Sequence, residues 1–330
     1  MRLLIVKLSA FGDIVQSFYA IQDLSRAHPE VAIDWCVDQR FVGLLALNKN
    51  ISNIVSAPLR QWRNNWWRLS TGKDLISWFL RLRRVRYDYA VDIQGAYKSG
   101  LIVNFSSSRR KIGISWKKTE GFVEFLYKEK VLWPRGLGAV NQYRSVLASI
   151  FNYDFSRLPL LSGLERHQHS SSLRKNDGST WSLAILLTGS SVEKYWPHKL
   201  WEVFLGEITD HAFRVTLLWS DSLGHKIAQS LTARIQNVSI ASSALSFSEW
   251  RDCIDEADCV VGHDSGPAHL SVAMGQQTVI VFGVTSPAGF GVIGRSNLCC
   301  VGEAGQWPRP DQVLEAVRQR TRFLQYQART

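Results

Sequence analysis

Residues 259–275, C-V-V-G-H-D-S-G-P-A-H-L-S-V-A-M-G, place polar side chains where a strand should meet a helix. The apolar run at the start predicts a buried strand, and Pro267 stands at a first helical position, where its missing N–H is tolerated. The unpaired N–H groups and the positive dipole end of such a helix suit a phosphate or pyrophosphate. Asp264 and Ser265, in the turn, could equally serve only to cap the helix.

A second candidate lies in the first turn of the chain, residues 9–13 (S-A-F-G-D). Asp13 stands at a predicted helix start, where a carboxylate could act as a general base if it came within hydrogen-bonding reach of the proton that it removes. The alternative is that Asp13 is only a helix cap. The turn lacks the G-x-G-x-x-G spacing of a dinucleotide site, so NAD binding is not supported.

The corresponding turn of the second half is residues 187–197, L-T-G-S-S-V-E-K-Y-W-P. Small hydroxyl residues followed by Lys194 suit a phosphate-binding loop to which the lysine supplies a point charge. The alternative is a solvated surface loop.

Residues 60–68, R-Q-W-R-N-N-W-W-R, interleave arginines with tryptophans. If the segment is helical, Arg60, Arg63 and Trp67 share a face. Such a face could bind acidic sugars or lipid phosphates at a membrane surface, or single-stranded nucleic acid. It could also be a basic surface segment with its tryptophans packed inward.

The elements that must position these residues alternate between strand and helix along most of the chain, which indicates parallel α/β sheets. Two similar halves, each opening with an apolar strand and a small-residue turn, predict two Rossmann-like domains that face each other across a ligand cleft. A polar stretch rich in serine and glycine separates them and is the predicted linker. The predicted parts are residues 1–163, the linker 164–182, residues 183–309, and a C-terminal helix 310–330 that packs back toward the N-terminal domain.

The composition is that of an ordinary soluble protein of 330 residues, 45% hydrophobic and 20% charged. A formal net charge of +11 favours an anionic partner, whether nucleic acid, a membrane surface or a phosphorylated substrate. Five cysteines without a C-x-x-C pair indicate a reducing compartment. No apolar segment approaches the ~18–20 residues that span a bilayer. The expectation is a cytoplasmic protein that can attach to a membrane surface.

Several catalytic motifs are missing from the sequence. It contains no D-x-D, no H-E-x-x-H, no Walker P-loop and no G-x-S-x-G, and its eight histidines make no ligand-spaced set. Metal dependence and hydrolase or kinase chemistry are therefore not supported, and neither a metal nor a cofactor is expected.

Taken together, these segments resemble the ADP-heptose:lipopolysaccharide heptosyltransferases of glycosyltransferase family 9. The resemblance rests on R-L-L-I-V-K-L-S-A-F-G-D-I-V at residues 2–15, D-I-Q-G-A-Y-K-S at 92–99, E-K-Y-W-P at 193–197 and G-H-D-S-G-P-A-H-L at 262–270. The combination of D-S-G-P-A-H-L with the K-x-S-x-x-G-D start is specific to the family. I-D-W-C-V-D and L-R-Q-W-R-N-N-W-W most resemble the heptosyltransferase I branch.

The resemblance implies a GT-B fold and a metal-independent, inverting transfer of L-glycero-D-manno-heptose from ADP-heptose to Kdo of Kdo-lipid A. It implies a monomer, peripherally attached to the cytoplasmic face of the inner membrane. Asp13 matches the catalytic base of the family. The donor-binding residues are then Ser9, Gly12, Thr188, Ser190, Lys194, Asp264, Ser265, Gly266 and His269. The acceptor-binding residues are Arg60, Arg63, Gln94, Lys98 and Lys117.

The chain departs from the family pattern at two places. Asp221 is the nearest match to an acidic residue that often contacts the donor ribose, and Glu120 stands where an arginine is usual. The alternatives are another GT-B glycosyltransferase with a different nucleotide sugar or acceptor, a catalytically idle homologue that only binds a lipopolysaccharide precursor, and a basic nucleic-acid-binding α/β protein. The heptosyltransferase is favoured, and nucleic acid is not an expected partner.

Overall fold

The structure, a computed structural model, describes residues 1–65, 67–115, 121–164, 180–209, 213–289 and 296–327. The chain divides into two compact units, Met1–Leu164 and Glu165–Thr330. The division falls at the start of the predicted linker, of which residues 165–179 lie outside the described residues. The roles predicted for the two domains, acceptor binding and nucleotide-sugar binding, stay predictions.

The described part of the first unit contains one six-stranded parallel sheet in the order β3-β2-β1-β4-β5-β6. Its strands are β1 (Arg2–Val6), β2 (Ala32–Asp38), β3 (Asn53–Ala57), β4 (Arg86–Asp92), β5 (Ser107–Ser115) and β6 (Glu129–Leu132). Its helices are α1 (Phe11–Ala27), α2 (Val42–Leu45), α3 (Leu59–Asn64), α4 (Leu69–Arg83), α5 (Tyr97–Phe105) and α6 (Ala139–Phe151). Short 3₁₀ turns lie at Gln39–Phe41, Gly121–Leu126 and Phe155–Arg157.

The described part of the second unit repeats this plan, with a parallel sheet in the order β12-β11-β10-β7-β8-β9. Its strands are β7 (Trp181–Leu187), β8 (Phe213–Trp219), β9 (Val238–Ile240), β10 (Cys259–His263), β11 (Thr278–Val281) and β12 (Leu298–Val301). Its helices are α7 (His198–Thr209), α8 (Ser222–Thr232), α9 (Phe247–Glu256), α10 (Gly266–Ala273) and α11 (Pro310–Gln327). Short 3₁₀ turns lie at Val192–Lys194 and Pro287–Gly289.

The central strands form because their residues are apolar on both faces. Leu3, Leu4, Ile5 and Val6 of β1 are fully buried, as a strand covered by helices on both sides requires. In β10 every residue is buried, including the polar His263 at its end. The parallel α/β class and the two Rossmann-like units predicted from the sequence are thereby confirmed.

Each sheet reverses its strand order beside its first strand. In the first unit β1 lies between β2 and β4, and in the second unit β7 lies between β8 and β10. Open α/β sheets bind ligands at the carboxyl ends of the strands at this switch point. The fold therefore predicts ligand sites at the turns after β1 and β4 in the first unit, and after β7 and β10 in the second.

The C-terminal helix α11 packs against α7 and against β10, β11 and β12 of its own unit. Val313, Leu314 and Val317 are buried in this contact and belong to the core of the second sheet. The expectation that this helix also reaches the N-terminal domain stays a prediction.

A buried ion pair joins α6 to α1 in the first unit. Arg144 Nε lies 2.6 Å from Asp23 Oδ2, and the guanidinium also donates to the carbonyls of Phe155 and Leu158. Burial raises the pKa of Asp23, and the hydrogen bond and charge of Arg144 oppose that rise. The arginine thus offsets part of the cost of burying a carboxylate in the core.

Replacing this arginine, Arg144→Met, should lower the free energy of unfolding by about 3–5 kcal/mol, because it leaves a buried charge unpaired. Urea unfolding curves measure the change. Arg157→Met is the matched control, since Arg157 pairs with Asp154 on the surface and such pairs contribute about 0–1 kcal/mol. Equal losses in the two variants would contradict the assigned role of Arg144.

Candidate active site

In the second unit, the carboxylate of Asp264 is the centre of a small polar cluster just beyond β10. Lys194 Nζ lies 3.1 Å from Oδ2, and Thr285 Oγ1 donates to the same oxygen at 2.8 Å. His269 Nε2 lies 3.0 Å from Oδ1. Three separate segments, the loop after β7, helix α10 and the loop after β11, therefore meet on one side chain.

The cluster keeps Asp264 ionised. Burial raises the pKa of this carboxyl, but the hydrogen bond and charge of His269, the charge of Lys194 and the hydroxyl of Thr285 outweigh burial and hold the pKa well below its usual range. The carboxylate in turn fixes the lysine ammonium beside the start of α10. Asp264 thus positions a cation.

The start of α10 has no side-chain cap. Ser265 is its N-cap residue in extended conformation, and its side chain caps no backbone N–H. Ser265 Oγ is buried and has no hydrogen-bond partner among the described residues. The structure therefore does not support the alternative in which Ser265 only caps the helix. The N–H groups of Gly266 and Ala268 in the first turn remain available to an anion.

The loop after β7 is held by Asp221. Thr188 Oγ1 and Tyr195 OH donate to Asp221 Oδ2 at 2.9 and 2.7 Å. The N–H groups of Leu223 and Gly224 donate to Oδ1, which makes Asp221 the cap of α8. Burial raises the pKa of Asp221, but these donors outweigh it and lower the pKa. Asp221 thus fixes the loop. Thr188 lies at the start of this loop, and Ser190, two residues later, is exposed.

In the first unit, Asp13 lies in the first turn of α1, on the same turn as Gly12. Asp13 Oδ2 accepts the N–H of Ala10, the N-cap residue, at 3.3 Å and lies 3.5 Å from Lys7 Nζ. Although Lys7 is buried, which lowers its pKa, the interactions with Tyr143 and Asp13 outweigh burial and raise it. A buried cation thus faces a carboxylate that is 47% exposed, so Asp13 is accessible to a substrate.

A cavity of about 490 Å³ opens at the switch point of the same unit. It gathers cations from the ends of three strands, and the backbone N–H of Ser9 donates to Gln94 Oε1 at 3.3 Å across the β1 and β4 ends. The residues that line it are Leu8, Ser9, Asp38, Arg40, Leu59, Arg60, Arg63, Gln94, Ala96 and Lys98. With four cationic side chains and one carboxylate, which pairs with Arg40, the cavity suits an anion.

The sequence-predicted site residues fall into separate groups. The cavity brings together Arg60, Arg63, Gln94 and Lys98. Ser9 also lines it, although the family resemblance assigns Ser9 to the donor. Asp13 does not line this cavity. Lys117 lies outside the described residues.

Sequence reasoning missed several residues of these sites. Arg40 follows β2 directly, and the sequence D-Q-R after an apolar strand was an available signal for it. Lys7 stands in the K-x-S-x-x-G-D segment, but only the structure pairs it with Asp13. Nothing in the sequence pattern indicated that Thr285 and Tyr195 contact Asp264 and Asp221.

No group of three or more His, Cys, Asp or Glu side chains among the described residues is arranged to hold a metal ion. In the same part of the chain, no helix has the length and apolar character required to cross a membrane.

The buried His263 gives a pH prediction. Its ring packs against Tyr195 with centroids 4.6 Å apart, and burial lowers its pKa from 6.5 to about 4. Between pH 6.5 and about pH 4, His263 is therefore protonated in the unfolded chain and neutral in the folded chain. His263 should therefore remove about 1.4 kcal/mol of stability per unit of pH decrease in this window.

Urea unfolding of the wild type and of His263→Gln across this window measures that slope. The difference between the two slopes isolates His263 from the other histidines. Identical slopes would show that the ring titrates normally in the folded protein.

Comparison with known proteins places the chain in a family. Residues 76–318 match the model of glycosyltransferase family 9 (heptosyltransferase). The chain is 27% identical to lipopolysaccharide heptosyltransferase 1 of Pseudomonas aeruginosa over 90% of its length and 83% of that protein. It is 25% identical to the Escherichia coli K12 protein of the same name, over 91% and 93%.

Solved structures agree in fold. E. coli heptosyltransferase WaaC with ADP superposes with a TM-score of 0.81 at 23% identity, over 98% of this chain and all of that chain. E. coli heptosyltransferase II gives a TM-score of 0.75 at 17% identity, over 97% and 98%. The predicted GT-B fold is thus confirmed, while the predicted cleft between the domains stays a prediction. By its family match the chain is a glycosyltransferase, and it belongs to glycosyltransferase family 9, the heptosyltransferases.

Proposed function

We propose that this glycosyltransferase moves L-glycero-D-manno-heptose from ADP-heptose to Kdo of Kdo-lipid A, with inversion at the anomeric carbon. The observation that carries the proposal is the uncapped start of α10 beside Lys194, a cation that Asp264 fixes in place. Relatives named lipopolysaccharide heptosyltransferase 1 and a WaaC structure with ADP-2-deoxy-2-fluoro heptose support the choice of sugar and nucleotide.

On the donor side, the diphosphate of ADP-heptose would lie at the α10 N-terminus. The N–H groups of Gly266 and Ala268 and the Ser265 hydroxyl would donate to phosphate oxygens, and the Lys194 ammonium would neutralise their charge. As the bond between the anomeric carbon and the diphosphate breaks, the electron pair leaves with ADP, and donors fixed in advance stabilise that charge without reorganising. No metal takes part in this step.

On the acceptor side, the cationic cavity of the first unit would bind the carboxylates of Kdo through Arg60, Arg63 and Lys98. Arginine suits a carboxylate because its planar guanidinium can form two parallel hydrogen bonds with it. The acceptor hydroxyl would transfer its proton to Asp13 as its oxygen forms the new bond to the anomeric carbon. The Lys7 ammonium, whose Nζ lies 3.5 Å from Asp13 Oδ2, would hold the carboxylate in position to accept that proton.

Inversion requires that the acceptor oxygen attack the anomeric carbon from the face opposite to the leaving diphosphate. We also propose a monomer at the cytoplasmic face of the inner membrane, where a lipid-anchored acceptor is presented.

Asp13→Asn should lower the rate of heptose transfer by about 10²–10⁴, because it removes the base and keeps the shape of the side chain. Product formation measures the rate, and calorimetry with ADP should give an affinity near that of the wild type. Asp154→Asn is the control, an exposed carboxylate of the same unit. Full turnover by Asp13→Asn would rule out Asp13 as the base.

Lys194→Ala should weaken ADP binding by roughly 10- to 100-fold, the effect of losing a hydrogen bond from a charged group. Titration calorimetry measures it. Lys199→Ala, which removes an exposed lysine a few residues away, should bind ADP like the wild type. If both variants kept wild-type affinity, the diphosphate would have to lie elsewhere.

Substrate identity is tested by panels. Calorimetry with ADP-, UDP- and GDP-sugars should show binding of the ADP-sugar, and transfer should succeed with Kdo₂-lipid A but not with an already heptosylated core. Preference for another nucleotide would instead support a different GT-B glycosyltransferase.

A further inference from the structure

Helix α4 in the first unit carries apolar side chains on the face that points away from the protein. Trp78 and Leu82 are buried on its inner face, and Trp78 Nε1 donates to the Ser56 carbonyl of β3. Leu69, Ile76 and Leu80 are 88%, 62% and 58% exposed. With 3.6 residues per turn, these three fall within one narrow stripe opposite Trp78. A surface helix normally has polar residues there.

The stripe continues onto the neighbouring helix α5. Leu101 and Phe105, spaced one helical turn apart, are exposed, as is Tyr97 at the start of the helix. Phe79 of α4 packs edge-on against Phe105 with centroids 5.2 Å apart, which joins the two helices along this side. We call Leu69, Ile76, Leu80, Leu101 and Phe105 the docking face. An exposed apolar area built across two helices indicates an interaction surface.

The charges around the docking face are almost all positive. Residues 67–84 contain five basic side chains, all exposed, and a single acidic one, Asp74. The basic residues are Arg68, Lys73, Arg81, Arg83 and Arg84. Such long side chains can lay their methylene stems along apolar surface and extend their charges to phosphate groups. Aliphatic groups ringed by cations match a bilayer of anionic lipid, in which both the acyl region and the headgroups find a partner.

A second copy of this chain fits less well. A two-fold symmetric contact would place the same patch on both partners. The cations around Lys73 and Arg84 would then face their own copies, and like charges repel.

The docking face and the cationic cavity share helix α5. Lys98 lines the cavity, and Leu101, three residues later on the same helix, belongs to the docking face. Arg63, which also lines the cavity, belongs to α3, the helix that precedes α4 in the chain. We therefore propose that the docking face of α4 and α5 rests on the anionic surface of a phospholipid membrane and brings the cavity to an acceptor whose acyl chains remain in the bilayer. The inference deepens the proposed function and rests on it for the nature of the acceptor.

Sedimentation of the full chain with vesicles tests the proposal. Phosphatidylcholine vesicles with phosphatidylglycerol should bind the protein, vesicles of phosphatidylcholine alone should bind it weakly, and salt should reduce binding because it screens the charges. The triple variant Leu69→Gln, Ile76→Gln, Leu80→Gln should bind the anionic vesicles about ten-fold more weakly or worse. Arg81→Gln combined with Arg84→Gln should lose affinity for the anionic vesicles only.

The matched control replaces three exposed aliphatic residues outside the face, Leu137, Leu161 and Val203, by glutamine. It should bind vesicles like the wild type, and thermal melting should show every variant folded. On a deacylated, water-soluble acceptor the α4 triple variant should keep wild-type turnover, while on acceptor embedded in vesicles its turnover should fall.

The two proposals fail separately. Absence of transfer to either acceptor would overturn the proposed function and leave the sedimentation result to stand. Equal vesicle binding by the wild type and the α4 triple variant, or no binding by either, would overturn the docking face even if heptose is transferred. Binding of the wild type to a protein partner without binding to vesicles would also overturn it.

Discussion

The structure depends on two strands that are buried on both faces, β1 in the parallel sheet of the first unit and β10 in that of the second. The backbone N–H and C=O groups of such a strand form their hydrogen bonds only within the sheet. The chain therefore leaves the buried layer where the strand ends, through a turn at the edge of the sheet. In this protein those turns carry Asp13 and Asp264. The requirement that makes the strands apolar therefore also decides where the polar chemistry lies.

Around each of these turns, charge is arranged in opposite ways. In the second unit a carboxylate that is 15% exposed, Asp264, holds a cation that is 25% exposed, Lys194. In the first unit a buried cation, Lys7, holds a partly exposed carboxylate, Asp13. In each pair the less exposed member must keep its charge for the more exposed member to stay in place. The exposed member then has the sign that its proposed task requires, a cation for a leaving diphosphate and an anion for a proton.

The sequence predicted the strands that are continuous apolar runs. Leu3–Val6 appears within β1, and residues 259–261 within β10, because burial on both faces leaves no polar position to obscure the pattern. The sequence pattern did not predict strand β5, because Ser107–Ser115 begins with two serines and three basic residues before its buried half. It is held from the side, where Tyr127 packs over Gly113 and donates to Asp92 at 2.5 Å. No local pattern encodes such a contact.

The same division applies to the candidate site. Asp264 and Lys194 could be paired from motifs, although 70 positions separate them, because each motif alone suggests a phosphate. The contacts of Thr285 and Tyr195 could not be predicted, because a hydroxyl group in the sequence does not indicate which side chain it will meet in the fold. The outward stripe on α4 is readable in the sequence only once the inward face, marked by Trp78, is known.

The Ser265 hydroxyl, which has no hydrogen-bond partner among the described residues, bears on stability as well as on binding. A buried polar group without a partner costs about 1–3 kcal/mol, against the ~5–15 kcal/mol that keeps a domain folded. An anion that accepted the hydrogen bond of this hydroxyl would remove that cost. Because such a ligand binds the folded chain and not the unfolded one, it would also raise the free energy of unfolding.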